Sequence, residues 1–385
     1  MNRIKKGVAI FIIATLSRVA FAEDVEDRLS EVERRLDRIY IVTPNGTCGA
    51  TTGLARPIIN SCNSCCGSNW FIEASVIYWH AKVGGSEYAY TKQNPVSSFP
   101  VKGRVKSMDF KWDWGFKADI GYNFAHDGWE TVFRYVFFDT SGSDGVGSGL
   151  NDSVIPMRGA ATLVTPVSGS EFFLYCSEAK SQYDFSFNSL SWEFARDFFV
   201  SACFSIRPFT ALQATWLDLE QNTRYINGAS SSFGFGLNND VVSVKDKSKF
   251  RGLGPSAGFD LGWHLGKGFS LFQDATIGML FGIFDVRHRE KYSASSDAKI
   301  NLRDTHHGFS PMMKFQSGIA YKTYFNEDRN HLTIRLGYET QYWWRVNQML
   351  RVEDTITGLN PNVRYSRYSE DASLMGCIFD LRIDF

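Results

Sequence analysis

The sequence predicts an all-β fold: an antiparallel transmembrane β-barrel of about 10 strands, with 12 as the alternative, behind a short N-terminal periplasmic α-helical coiled-coil segment. Three observations lead there. The N-terminus reads as an export signal. From residue 69 onward, segments alternate apolar and polar residues with period two, and aromatics gather at both ends of the apolar face. The last such segment closes on Phe385. Composition narrows the choice. Aromatics at 15% with 33 Gly exclude a disordered chain. Beyond the N-terminus no run of about 18 apolar residues occurs, which excludes a helical membrane protein. The 41 Lys+Arg balance the 41 Asp+Glu, but Arg3, Lys5, Lys6 and Arg18 fall in residues 1–22, which hold no acid. Without them 37 basic residues face 41 acidic ones, a balance of −4 that points away from a nucleic-acid partner.

In Met1–Ala22, Arg3, Lys5 and Lys6 precede the apolar stretch Gly7–Leu16, and Ala20-Phe21-Ala22 is an A-x-A cleavage site. A transmembrane anchor would be longer and would not carry Arg18. Residues 23–40 form the one clear helix: Val25, Leu29, Val32, Leu36 and Ile39 follow the 4-3-4-3 spacing of a coiled-coil seam. Two heptads are too short to be stable alone, so self-association as a dimer or trimer needs support from something larger. Residues 41–68 read as a periplasmic linker holding Cys48, Cys62, Cys65 and Cys66. In an exported protein the default chemistry for these four is disulfide formation, and seven cysteines in all leave at least one free or intermolecular thiol. Cys62-x-x-Cys65 also has zinc-ligand spacing, but no His lies near it and disulfides are the expectation. No cofactor or metal is expected.

The barrel is assigned to 69–385. Its clearest segment is Lys111–Phe124, in which Trp112, Trp114, Phe116, Ala118, Ile120, Tyr122 and Phe124 face one way. Trp114 to Tyr122 covers roughly 26 Å of strand, or about 20 Å of membrane at a tilt of about 40°. The strands are expected near 69–81, 105–124, 128–140, 178–197, 200–219, 248–266, 268–289, 307–324, 330–349 and 369–385. Short connections near 125–127, 198–199, 267 and 325–329 alternate with long ones, as periplasmic turns and outer loops do. An even strand number puts both termini in the periplasm. Within 178–197, Tyr183, Phe185 and Phe187 give way to Leu190, Trp192 and Phe194, a parity slip expected to mark a β-bulge. At the C-terminus Met375, Cys377, Phe379, Leu381, Ile383 and Phe385 alternate with Gly376, Ile378, Asp380, Arg382 and Asp384, like the closing strand of a bacterial outer-membrane barrel.

Several stretches resemble the Legionella-type major outer membrane proteins, a porin-like family found also in environmental chlamydiae. They are Trp70–Ala81, Glu87–Thr91, Phe110–Phe124 with Asp127-Gly128-Trp129, Arg196–Phe209, Gly252–Leu265 and Phe269–Val286. The resemblance covers most of 69–385 and rests on barrel residues, with no catalytic signature among them. It implies an abundant outer-membrane barrel, proposed as a porin, linked into the envelope through cysteines and in some members implicated in host-cell attachment.

Pore-lining candidates are the polar-parity residues Lys117, Asp119, Glu130, Arg134, Asp184, Arg207, Asp260, Lys314, Arg335, Glu339 and Arg382, with Asp113 and Lys322 beside them. They carry both signs. They would line a hydrated channel for small polar solutes or ions, or pair across a narrow lumen as a plug. Gly115, Gly121, Gly258, Gly278 and Gly318 would leave interior space, or else ease strand curvature. An enzyme is not expected: Asp304, His306 and His307 are the nearest to a rim constellation, and no G-x-S-x-G, H-E-x-x-H or phosphate loop occurs. The expected partners are outer-membrane lipid, further copies of the chain, disulfide-linked envelope proteins and a host-surface receptor for long loops such as 141–177.

Overall fold

The computed structural model describes residues 69–93, 102–124, 128–148, 152–159, 166–167, 170–171, 176–201, 203–228, 241–293, 299–325, 330–355 and 362–385. The expected signal peptide, coiled-coil segment and linker, with Cys48, Cys62, Cys65 and Cys66, lie outside these residues.

Ten strands make a closed antiparallel ring: β1 (Asn69–Val83), β2 (Trp112–Asn123), β3 (Trp129–Gly147), β4 (Cys176–Arg196), β5 (Phe204–Gly228), β6 (Val241–Gly266), β7 (Phe269–Tyr292), β8 (Lys299–Phe325), β9 (Asn330–Asn347) and β10 (Glu370–Asp384). Each pairs with its neighbours in sequence. The ring closes where β1 meets β10, in an unbroken register from Phe71↔Asp384 to Val83↔Ala372. Closure leaves no edge strand with unpaired N–H and C=O groups, the condition for placing a sheet in hydrocarbon. The residues expected to face lipid do stand on the outer surface, among them Trp114 at 68% and Ile120 at 46% exposure. Aromatic pairs sit at the ends of this belt: Trp70 against Tyr122 at 5.0 Å and Tyr78 against Trp114 at 4.6 Å. The tight turn at Lys267 takes left-handed φ angles of 97° at Gly266, 52° at Lys267 and 82° at Gly268, and the two flanking glycines adopt them without a Cβ penalty.

Three expectations change. First, the strands run further outward than alternation indicates, to Gly147 in β3 and Gly228 in β5, and from Val241 in β6 and Lys299 in β8. Beyond the lipid the outward positions turn polar, so the apolar signal stops while the hydrogen-bond ladder continues. At β2 the change is opposite: the strand begins at Trp112, because Met108 and Phe110 are buried in the interior core. Residues 103–106 pair instead with Ala89–Gln93, which also pairs with Asp152–Pro156. Second, the ring has ten strands and not the alternative twelve: Leu350–Thr355 and Asn362–Arg367 pair with each other in a separate two-stranded sheet.

Third, β4 has no bulge. Its ladder with β5 is continuous from Ala179↔Tyr225 to Ala195↔Phe209. Tyr183, Phe185 and Phe187 point into the barrel and are buried, whereas Leu190, Trp192 and Phe194 point to lipid. The apolar parity changes because the apolar side of the sheet changes. The outer part of the barrel is filled with rings, and the inner part with charges.

Candidate functional site

The barrel interior has two layers. Alternation delivers one inward residue at every second position, and the residue type supplied at each level decides the layer's character. In the periplasmic layer four arginines, drawn from separate strands, each link to a carboxylate on at least one other strand. Arg134 (β3) donates to Asp119 Oδ2 and to Glu193 Oε1, both at 2.7 Å. Arg207 (β5) donates to Glu130 Oε1 at 2.7 Å and Asp260 Oδ2 at 2.5 Å. Arg335 (β9) donates to Glu73 Oε1 at 2.8 Å and Asp380 Oδ2 at 3.0 Å, with Asp274 Oδ2 3.5 Å away. Arg382 (β10) donates to Asp384 Oδ1 at 2.9 Å and lies 3.5 Å from Glu130 Oε2. Lys117 donates to Glu339 one level higher. Opposite partners offset most of the cost of burying these charges.

The pairing is incomplete. Lys314 and Lys322 have no ion-pair partner among the described residues, although both line the main cavity. Asp119 Oδ1, Asp274 Oδ1 and Asp380 Oδ1 accept no hydrogen bond from the described residues. These groups surround a cavity of about 160 Å³. Above it lies one of about 40 Å³ that shares Lys117, Arg134 and Lys314. A polar space of that size holds a cluster of waters.

The outer layer is apolar. Trp79 packs on Phe138 at 5.5 Å, Phe110 on Tyr183 at 5.3 Å, Phe187 on Trp343 at 5.4 Å and Phe250 on Phe284 at 4.6 Å, all buried. Chain between strands folds inward to complete it. Arg158 Nε donates to the Glu87 carbonyl at 2.9 Å, and the Tyr225 hydroxyl donates to the Tyr88 carbonyl at 2.6 Å. Higher still, His288 Nδ1 lies 2.5 Å from Asp246 Oδ1 and its Nε2 lies 2.6 Å from Glu290 Oε1. Tyr365, from the outer hairpin, donates to the same Glu290 oxygen at 2.6 Å. Burial disfavours a charged imidazole there, but the two carboxylates outweigh it and hold the His288 pKa up to about 9.

Lys117, Asp119, Glu130, Arg134, Arg207, Asp260, Lys314, Arg335, Glu339 and Arg382 all face the interior. Asp184 does not. With β4 unbroken it stands on the outer surface, where Gln182 Nε2 donates to it at 3.2 Å. Gly121 and Gly258 do not clear the interior either. The Phe71 ring occupies the space that a Cβ on Gly121 would need, and Phe209 Cζ would lie 2.6 Å from one on Gly258. These glycines accommodate rings. Glu73, Glu193, Asp274 and Asp380 belong to the network without having been singled out, though each sits on the polar parity of its strand. His306 and His307 alternate to opposite faces, the first stacked on Phe284 at 4.9 Å and the second on Phe281 at 6.0 Å, so they share no site. Among the described residues no group of three or more His, Cys, Asp or Glu is placed to hold a metal, and the three cysteines there, Cys176, Cys203 and Cys377, are free.

A closed antiparallel barrel with an apolar outer belt, aromatic ends and a charged interior is an outer-membrane β-barrel. The chain belongs to the family described as Legionella pneumophila major outer membrane protein precursor, whose model matches residues 62–385. The protein is therefore an outer-membrane protein. No curated protein sequence matches it. Among solved structures it is similar to the outer membrane protease OmpT from Escherichia coli, at 9% identity over 82% of this chain and 96% of that one, with a TM-score of 0.39. It is also similar to the P. putida toluene transporter TodX, at 11% identity over 87% and 94% with a TM-score of 0.29. A third is a Pseudomonas aeruginosa FadL homologue, at 10% identity over 83% and 90% with a TM-score of 0.24.

Proposed function

We propose that the barrel is a narrow porin that passes small ions and polar solutes through its charged inner chamber, with the aromatic layer as its constriction. The observation that carries this reading is that Lys314 and Lys322 have no ion-pair partner among the described residues, in a chamber that also holds carboxylate oxygens without a hydrogen bond from those residues. A purely structural plug gains nothing from leaving buried charges unmatched, whereas a solute path needs groups that exchange partners easily. Single-channel recording of the purified, folded protein in planar bilayers tests it. Native barrels are expected to give small discrete steps, and Trp343→Ala with Phe187→Ala larger ones. Silence from both, with folding intact, would refute the channel. The second reading is a non-conducting barrel that strengthens the envelope or contacts host cells through its outer loops. The closed aromatic layer favours it, and that silence would establish it.

The envelope role forms part of the proposal. Cys48, Cys62, Cys65 and Cys66 would crosslink neighbouring envelope proteins, and residues 23–40 would assemble dimers or trimers. No enzymatic activity is proposed: the interior offers ion pairs, and the His pair is split across the wall.

A further inference from the structure

Above the apolar belt the outer surface becomes charged, and the change differs around the ring. On β6 the outward positions run Leu253, Arg251, Lys249, Lys247 and Lys245 toward the outer end. On β7 they run from Ile283 through Asp285 to Arg287 and Arg289, and on β8 from Phe309 up to Arg303. The register sets Lys247 opposite Arg287 and Arg287 opposite Arg303, with Lys245 opposite Arg289 one row higher. On β3 the equivalent outward positions are Asp139, Ser141 and Ser143. The basic face is therefore a sector of the barrel and not a general collar.

Like charges directly opposite each other across strands are unfavourable, and the local acids compensate only in part. Glu220 serves both Lys245 and Lys247, Asp285 serves both Arg287 and Arg303, and Asp218 takes Lys249. Arg251 has no ion-pair partner among the described residues. A surplus of cations remains on a flat, rigid sheet. Its height identifies what balances it. Lys249 and Arg287 each lie four residues beyond the last apolar outward residue of their strands, Leu253 and Ile283. At strand rise and barrel tilt this is roughly 10 Å above the belt, at the level of lipid headgroups. The side chains point sideways into that layer.

We propose that the β6–β8 sector binds the phosphate groups of outer-leaflet lipid. The planar guanidinium groups of Arg287 and Arg303 grip phosphate oxygens in pairs, and the lysines add positive charge. A soluble polyanion would need the same charges on the upward-facing loops; here they border the lipid.

The test uses the full, folded barrel in a neutral maltoside detergent, titrated with bis-phosphorylated lipid A and with its dephosphorylated form and followed by native mass spectrometry. Phosphorylated lipid is expected to bind and the dephosphorylated form is not. Lys247→Gln with Arg287→Gln and Arg303→Gln should weaken binding on the order of 100-fold, at about fivefold per charge. Lys180→Gln with Arg345→Gln, basic positions outside the sector, should leave it unchanged. If the triple variant fails to migrate as a folded barrel, Arg251→Gln with Arg289→Gln carries the same comparison. Unchanged affinity in the folded sector variant would overturn the proposal. So would equal binding of dephosphorylated lipid, or inositol hexakisphosphate binding as tightly as the lipid.

Discussion

His288 is the most informative single residue above the apolar belt. It sits between Asp246 on β6 and Glu290 on its own strand, with Arg158 of the inserted segment 3.6 Å from Asp246 and Tyr365 of the outer hairpin bonded to Glu290. Folding moves its pKa from the ordinary 6.5 up to about 9, a stabilisation of roughly 3 kcal/mol. The folded value is raised, so this stabilisation is fully present below pH 6.5 and is lost as pH rises through about 9. His288→Gln keeps a hydrogen-bonding side chain but removes the charge. The assay is pulsed amide hydrogen exchange of 152–159 and 241–246 in the folded barrel, expressed as protection relative to the intrinsic rate at each pH. At pH 6 the variant is expected to be less protected by on the order of 100-fold, and by pH 10 the two proteins converge. Equal protection at pH 6, or native protection that grows between pH 6.5 and 9, would refute the reasoning.

Other substitutions test the remaining layers. Gly121→Ala puts a Cβ into the Phe71 ring and is expected to destabilise the barrel by about 1–3 kcal/mol in urea titrations; adding Phe71→Leu should recover part of that loss. Lys314→Glu reverses a charge in the chamber, so reversal potentials across a salt gradient should shift toward cation preference, while an unshifted potential would place the ion path elsewhere. Cys62→Ser, Cys65→Ser and Cys66→Ser together are expected to abolish thiol-sensitive oligomers on non-reducing gels; an unchanged ladder removes the crosslinking role. His306→Ala with His307→Ala should leave folding and conductance intact.

Much of this protein is written in its alternation. Period-two stretches ending in Trp, Tyr and Phe mark a wall with lipid on one side, and all ten strands follow from that pattern. The same parity places Lys117, Arg134, Arg207 and Arg335 inside, because a strand offers only two faces. What parity cannot report is what the inner face touches. Phe185 and Leu190 are equally apolar, yet one fills the barrel and the other meets lipid, and a ladder without a break is what separates the cases. The misplacement of Asp184 has the same origin. Which carboxylates each arginine bridges, which lysines go unmatched and which ring covers Gly121 depend on closure, since the partners lie on strands far apart in sequence. Glu73 and Arg335 are 262 residues apart and 2.8 Å from each other. Alternation along one strand is local and can be read from sequence; contacts across a closed lumen are set by register and curvature together, and only the tertiary structure decides them.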